Sequence, residues 1–148
     1  MGERMERTAE STAHLKRMIS GAYKMRFAGQ CEPGIKAFSP KGRLRIEAER
    51  VDLPFAGEWH GRSQIGEALK MVDQLFKVED FFIEDILIDG DRGAIRWTAM
   101  VTNRASGDCV EVMVLDHIVF DEHDQIASLT QFFDSAELSR TMADPVRV

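Results

Sequence analysis

Hydrophobic positions along this chain repeat with two different periods. Over residues 6–28, Leu15, Met18, Ile19, Ala22 and Tyr23 recur three or four apart, which predicts a helix with one buried stripe. Ala28-Gly29-Gln30 ends it, and Gly29 suits a left-handed C-cap. A short helix holding Ile35 and Phe38 follows, broken by Ser39-Pro40-Lys41-Gly42. A third helix starts near Ser63 and carries Ile65, Ala68, Leu69, Val72, Leu75 and Phe76 on one face.

Elsewhere the period is two. In LRIEAER, residues 44–50, Leu44, Ile46 and Ala48 face one way while Arg45, Glu47 and Glu49 face the other, as in a half-exposed strand. VDLPFAGEWHG, residues 51–61, reads as a loop or edge segment. Strands are expected over 81–88, 93–104, 109–120 and 125–134, joined by turns at 89–92, 104–108 and 121–124. Turns this short imply antiparallel neighbours. Helices, one strand, a helix and a four-strand meander make an α+β domain.

The strand at 109–120 is apolar on both faces. Val110, Val112, Val114, Asp116 and Ile118 form one row, and Met113, Leu115, His117 and Val119 form the other. Helices cover one face of a single sheet. The second apolar row therefore predicts a homodimer through the outer sheet face.

Composition narrows the class. The 148 residues contain no repeat or linker, so they make one domain with its core at about 10–140. With 44% hydrophobic and 30% charged residues, the chain is built to fold. A net charge of −6 argues against nucleic acid or an anionic membrane as partner. No segment has transmembrane length, and the charged N-terminus lacks the apolar region of a secretory signal. Glu6 stands where a myristoylation motif needs Ser or Thr. Cys31 and Cys109, far apart and without metal-ligand spacing, read as free thiols in a reducing cytoplasm.

One position in VLDHIVF, residues 114–120, needs a reason. Asp116 lies in the middle of this greasy strand, where a carboxylate belongs only if paired, protonated or functional. Gln131, on the last strand, brings a buried amide that also needs partners, and Asp116 is the candidate if the two strands pair. Such a pair is either a ligand-orienting site or a self-satisfied core pair.

The helical start closed by Ala28-Gly29, the stretch FAGEWHGRSQIGEAL at 55–69, the DGDR turn at 89–92 and the closing IASLTQFFDSAEL at 126–138 together resemble the SnoaL-like and ketosteroid-isomerase-like proteins. The resemblance spans Leu15 to Leu138. It implies the nuclear transport factor 2-like fold, a cystatin-like α+β barrel in which a curved antiparallel sheet forms a cone with helices on its concave face. That superfamily hosts isomerases, cyclases, dehydratases, epoxide hydrolases and non-catalytic domains, so fold alone does not assign function.

Under this resemblance, Asp116 matches the aspartate of the steroid-isomerase oxyanion hole, and His117, Ile118 and Phe120 echo the family's histidine and aromatic-rich strand end. Its row would line the pocket. Ile95, Trp97, Ala99 and Val101 would face inward beside it, as would Leu129, Gln131 and Phe133, with Leu69 capping them. Ketosteroid isomerase is a precedent, not a deduction, for an aspartic acid kept protonated by an apolar site so that it can donate a hydrogen bond. Val114, Ile118 and Trp97 would supply a dry surround of that kind.

Other family features have no clean counterpart. The isomerase base falls at Ile46 or Ala48, neither of which takes a proton. Glu47 points outward unless a bulge turns it. The oxyanion tyrosine falls at Ala22, and Tyr23 is one place on, about 100° around the helix. Tyr23 either reaches the pocket or is a core tyrosine. Epoxide hydrolases of this fold need an arginine and a second aspartate where this chain has Val114 and Gln131, which argues against that mechanism.

The remaining candidates have plain readings beside the functional ones. Asp134-Ser135-Ala136-Glu137 has the spacing of a helix capping box. His60 is placed in a loop near the mouth of the cone, as a rim acid or base or simply solvated. His14 and His123 read as surface residues, and His117 as part of the dimer face. Trp97 and Phe133 either stack on a flat ligand or are ordinary core.

The sequence supports two functional readings. The first is a cofactor-independent isomerase, cyclase or dehydratase acting on a small, apolar carbonyl compound. It uses Asp116 as acid, helped by Gln131 and Tyr23, in a pocket of Trp97, Ile46, Leu69, Ala99, Val101, Val114, Phe133 and His60. The second is a non-catalytic binding or dimerisation domain.

Overall fold

The computed structural model describes residues 6–142. Helix α1 (Ala9–Phe27) buries Leu15 and Ile19. It starts three residues later than the periodicity suggested, because the Thr8 side chain accepts from the Ser11 N–H at 3.0 Å and caps it there. Its end is the expected one. Gly29 has φ 92, the Gln30 N–H reaches the Met25 carbonyl at 2.8 Å and the Gly29 N–H reaches that of Arg26 at 3.3 Å, a Schellman cap.

Helix α2 (Glu32–Ala37) stops before Phe38, which opens strand β1 (Phe38–Ile46). Ser39-Pro40-Lys41-Gly42 therefore breaks no helix. It is a bulge inside β1, where the register against the last strand jumps from Phe38↔Ile126 to Arg43↔Ser128. Gly42 allows this, since a Cβ there would sit 2.9 Å from the Ile126 carbonyl oxygen. Leu44 and Ile46 are buried as alternation requires, but the strand ends at Ile46 and not at residue 50. Strand β2 (Gly57–His60) is the edge piece of 51–61. Helix α3 (Gly61–Leu75) ends one residue before Phe76, which begins the next strand.

Strands β3 (Phe76–Asp89), β4 (Arg92–Asn103), β5 (Cys109–Phe120) and β6 (Ile126–Phe133) form the antiparallel meander. β3 starts five residues earlier than its pattern suggested. The register against β4 slips between Glu79 and Phe82, where Asp80 takes φ 53, and again between Ile83 and Asp85. These bulges interrupt the alternation and bend the strand. Helix α4 (Ser135–Met142) is capped by Asp134, whose carboxylate accepts from the Glu137 N–H at 3.1 Å.

The sheet order is β2-β1-β6-β5-β4-β3. β1 runs parallel to β6, so the sheet is mixed and not purely antiparallel. This α+β arrangement is the curved, unclosed sheet of the cone fold. Leu15, Ile19, Ile65 and Ala68 from the helices pack against Ile95, Trp97, Val114 and Ile118 from the sheet. On β5 the row containing Asp116 is buried, while Met113, Leu115 and His117 are exposed.

Candidate functional site

Antiparallel register brings the polar groups together. Asp116 on β5 lies opposite Ile95 on β4 and opposite Gln131 on β6. The Gln131 amide Nε2 donates to Asp116 Oδ1 at 3.1 Å. Trp97, two residues beyond Ile95 and on the same face, donates its indole Nε1–H to Asp116 Oδ2 at 2.9 Å. From α1, the Tyr23 hydroxyl donates to the same Oδ2. Tyr23 reaches it because Leu15, Ile19 and Tyr23 are each four residues apart and share one face. Asp116 itself is 1% exposed.

Burial and these hydrogen bonds act on Asp116 in opposite directions. Removal from water pushes its carboxyl up from the ordinary 3.8, while the donors Tyr23, Trp97 and Gln131 pull it down; burial wins. The Tyr23 hydroxyl is held well above 10.0, by burial first and then by the charge and hydrogen bond of Asp116, so it stays a donor. An indole N–H cannot accept, so Oδ2 must. With Tyr23 and Trp97 both on Oδ2, a proton on Asp116 belongs on Oδ1. There it leaves Gln131 Nε2 bonded to the remaining lone pair of the same oxygen.

Above this cluster is a cavity of about 160 Å³. Ile46, Leu69, Val101, Val114 and Phe133 line it, together with Trp97, Tyr23, Gln131 and Asp116. Ala99 is buried on the inner row but lies outside the lining. His60 lies away from the cavity. It is exposed at the start of α3, with Nε2 3.2 Å from Glu58 Oε2, so the position expected at the rim is a surface one. Glu47 stays outside too, where it accepts from Arg45 Nε. No bulge turns it inward, because β1 is regular from Arg43 to Ile46.

Two features escaped the sequence reading. Trp97 was expected to stack on a flat ligand or to be ordinary core in a dry surround, yet it is a hydrogen-bond donor to Asp116. Arg26 also lines the cavity, one turn along α1 from Tyr23. Its spacing from Tyr23 was the available signal. Among the described residues lining the cavity, Tyr23, Arg26 and Asp116 are the titratable side chains. No three His, Cys, Asp or Glu side chains converge as metal ligands among the described residues.

The family model for the SnoaL-like domain matches residues 38–129, more than half of the sequence. The chain belongs to the SnoaL-like family. Solved structures extend this at the level of fold. A nuclear transport factor 2-like protein of unknown function from Burkholderia pseudomallei K96243 is similar with TM-score 0.78 and 15% identity, over 88% of this SnoaL-like chain and 98% of that one. TerC, co-crystallised with polyporic acid, is similar with TM-score 0.75 and 14% identity, over 86% and 97%. A protein of ketosteroid isomerase-like fold from Catenulispora acidiphila DSM 44928, in complex with trimethylamine, gives 0.65 and 15%, over 78% and 83%. No curated protein matches the sequence. Identities this low establish the fold only.

Proposed function

We propose that this SnoaL-like domain binds a small, largely apolar carbonyl compound in its cavity and that Asp116 delivers a proton to that compound's oxygen. The observation that carries the reading is one carboxyl group, 1% exposed, at the floor of an apolar cavity and oriented by three donors. A protonated Asp116 offers its hydrogen from Oδ1. Polarising a carbonyl in this way makes its neighbouring carbon acidic, which suits isomerisation, cyclisation or dehydration without a cofactor. The resemblance puts a second acid–base group at Ile46 or Ala48, neither of which takes a proton, so Asp116 supplies the proton gained by oxygen and water accepts the one that leaves carbon.

The test is hydrogen exchange. 2-Cyclohexenone in D2O with the protein should take up deuterium next to its conjugated carbonyl faster than in buffer, read by NMR. Asp116→Asn should bring the rate back to that of buffer while binding persists. Wild-type exchange at the buffer rate, with binding intact, supports a second reading in which the cone is a non-catalytic binding domain. That reading is favoured by one feature: every hydrogen bond Asp116 makes is to the protein's own side chains.

We also infer a homodimer through the outer sheet face. Phe82, Leu87, Met113, Leu115 and Phe132 are large apolar residues exposed there, and the rows Phe82–Thr98–Met113 and Leu115–Phe132 are in register. Cys31 and Cys109 are free, which fits a reducing cytoplasm. No helix among the described residues is long and apolar enough to cross a membrane.

A further inference from the structure

We propose that the cavity takes a one-ring carboxylic acid and that Arg26 receives its carboxylate; this rests on the pocket reading above. Size is the first argument. About 160 Å³ is close to the roughly 150 Å³ apolar cavity that holds a single benzene ring.

Arg26 is the second. It is the one cation among the lining residues, and its side chain is only 12% exposed. Asp73 on α3 fixes it through a single nitrogen, with Nη1 donating to Oδ1 at 2.8 Å and to Oδ2 at 3.0 Å. The Phe27 ring supports the guanidinium from below, 5.3 Å from its central carbon. Nε and Nη2 make no hydrogen bond to a protein oxygen among the described residues, and the Cys31 thiol, which donates to Asp73 Oδ2 at 3.5 Å, lies against the same guanidinium. The Nε and Nη2 N–H groups form the parallel edge that matches a carboxylate in bidentate fashion. Asp73 opposes an incoming anion, but its side chain is 40% exposed and its charge is screened by water, whereas the Arg26 side chain is largely buried.

Placement is the third. Tyr23 and Arg26 are three residues apart on one helix, about 4.5 Å along its axis. One anchors the proton-bearing end of the cavity and the other the charged end. The cavity lining also includes Phe27, Val72 and Val78, which suit a ring. The ligand would thus place a carbonyl at Asp116 and a carboxylate at Arg26.

The test uses benzoate and its neutral isostere benzamide, titrated into the full-length protein and followed at the Trp97 indole N–H resonance. Benzoate should bind about tenfold or more tighter than benzamide, the scale of one charge-assisted hydrogen bond. Arg26→Met should erase that preference while benzamide binding, which reports an intact pocket, is kept. Equal binding of the two probes to wild type overturns the assignment of Arg26 and leaves the pocket reading standing. Failure of both probes to move the Trp97 resonance overturns both.

Discussion

Trp97 donates its indole N–H to Asp116 Oδ2 across 2.9 Å, from the strand hydrogen-bonded beside it. The bond decides which oxygen of Asp116 accepts, and it favours the ionised carboxylate. Trp97→Phe keeps an aromatic ring and removes the donor. The Asp116 titration should move further up in that variant, and Tyr23→Phe should move it the same way. The carboxyl 13C shift against pH reads this directly. A downward move in either variant would show that the donor does not stabilise the carboxylate.

Stability should depend on pH through the same group. Asp116 has a folded-state pKa raised above 3.8. The folded protein therefore holds a proton that the unfolded chain has already released. The resulting contribution is complete below 3.8 and is lost as pH rises through the folded value. Denaturant midpoints of wild type should fall relative to Asp116→Asn across that window and run parallel to them below it. A difference that grows in favour of wild type as pH rises would reverse the sign.

Exposed apolar residues on the outer sheet predict association. Light scattering at micromolar concentration should give a dimer for wild type and a monomer for Leu115→Glu combined with Met113→Lys. A monomeric wild type would defeat the interface.

The cap at Asp134 offers a check on the C-terminal helix. Asp134→Ala should cost about 1 kcal/mol in chemical denaturation, typical of a lost N-cap. No change would mean that α4 is held by packing of Leu138 and Thr141 alone.

Much of this arrangement was legible in the sequence, for reasons visible at single residues. Alternation over β5 separated the row of Asp116 from that of Met113 and Leu115, but both rows are apolar, and it took the family resemblance to assign the Asp116 row to the inside. Short turns set the β5–β6 register well enough to bring Gln131 to Asp116. Tyr23 was ambiguous because an ideal count put the family's tyrosine at Ala22; the four-residue spacing from Leu15 and Ile19 resolves it. Other features depend on tertiary context. Phe38 and Phe76 extend the apolar pattern of the helices before them, yet each opens a strand, since periodicity is weakest at element ends. The parallel β1–β6 pairing joins segments far apart in sequence, and no local signal marks it. Trp97's donor role follows from where one atom of a large ring comes to rest, which residue type alone does not encode. His60 was read from its loop position, but it lies beside Glu58 on the surface.

The central claim is that the cavity floor carries an acid whose proton is retained by its dry surroundings. The most direct measurement is the carboxyl 13C titration of Asp116 in the wild-type protein. A midpoint clearly above 3.8, moving further when 2-cyclohexenone is bound, is the predicted result. A midpoint at or below 3.8, unmoved by that ligand, would contradict it.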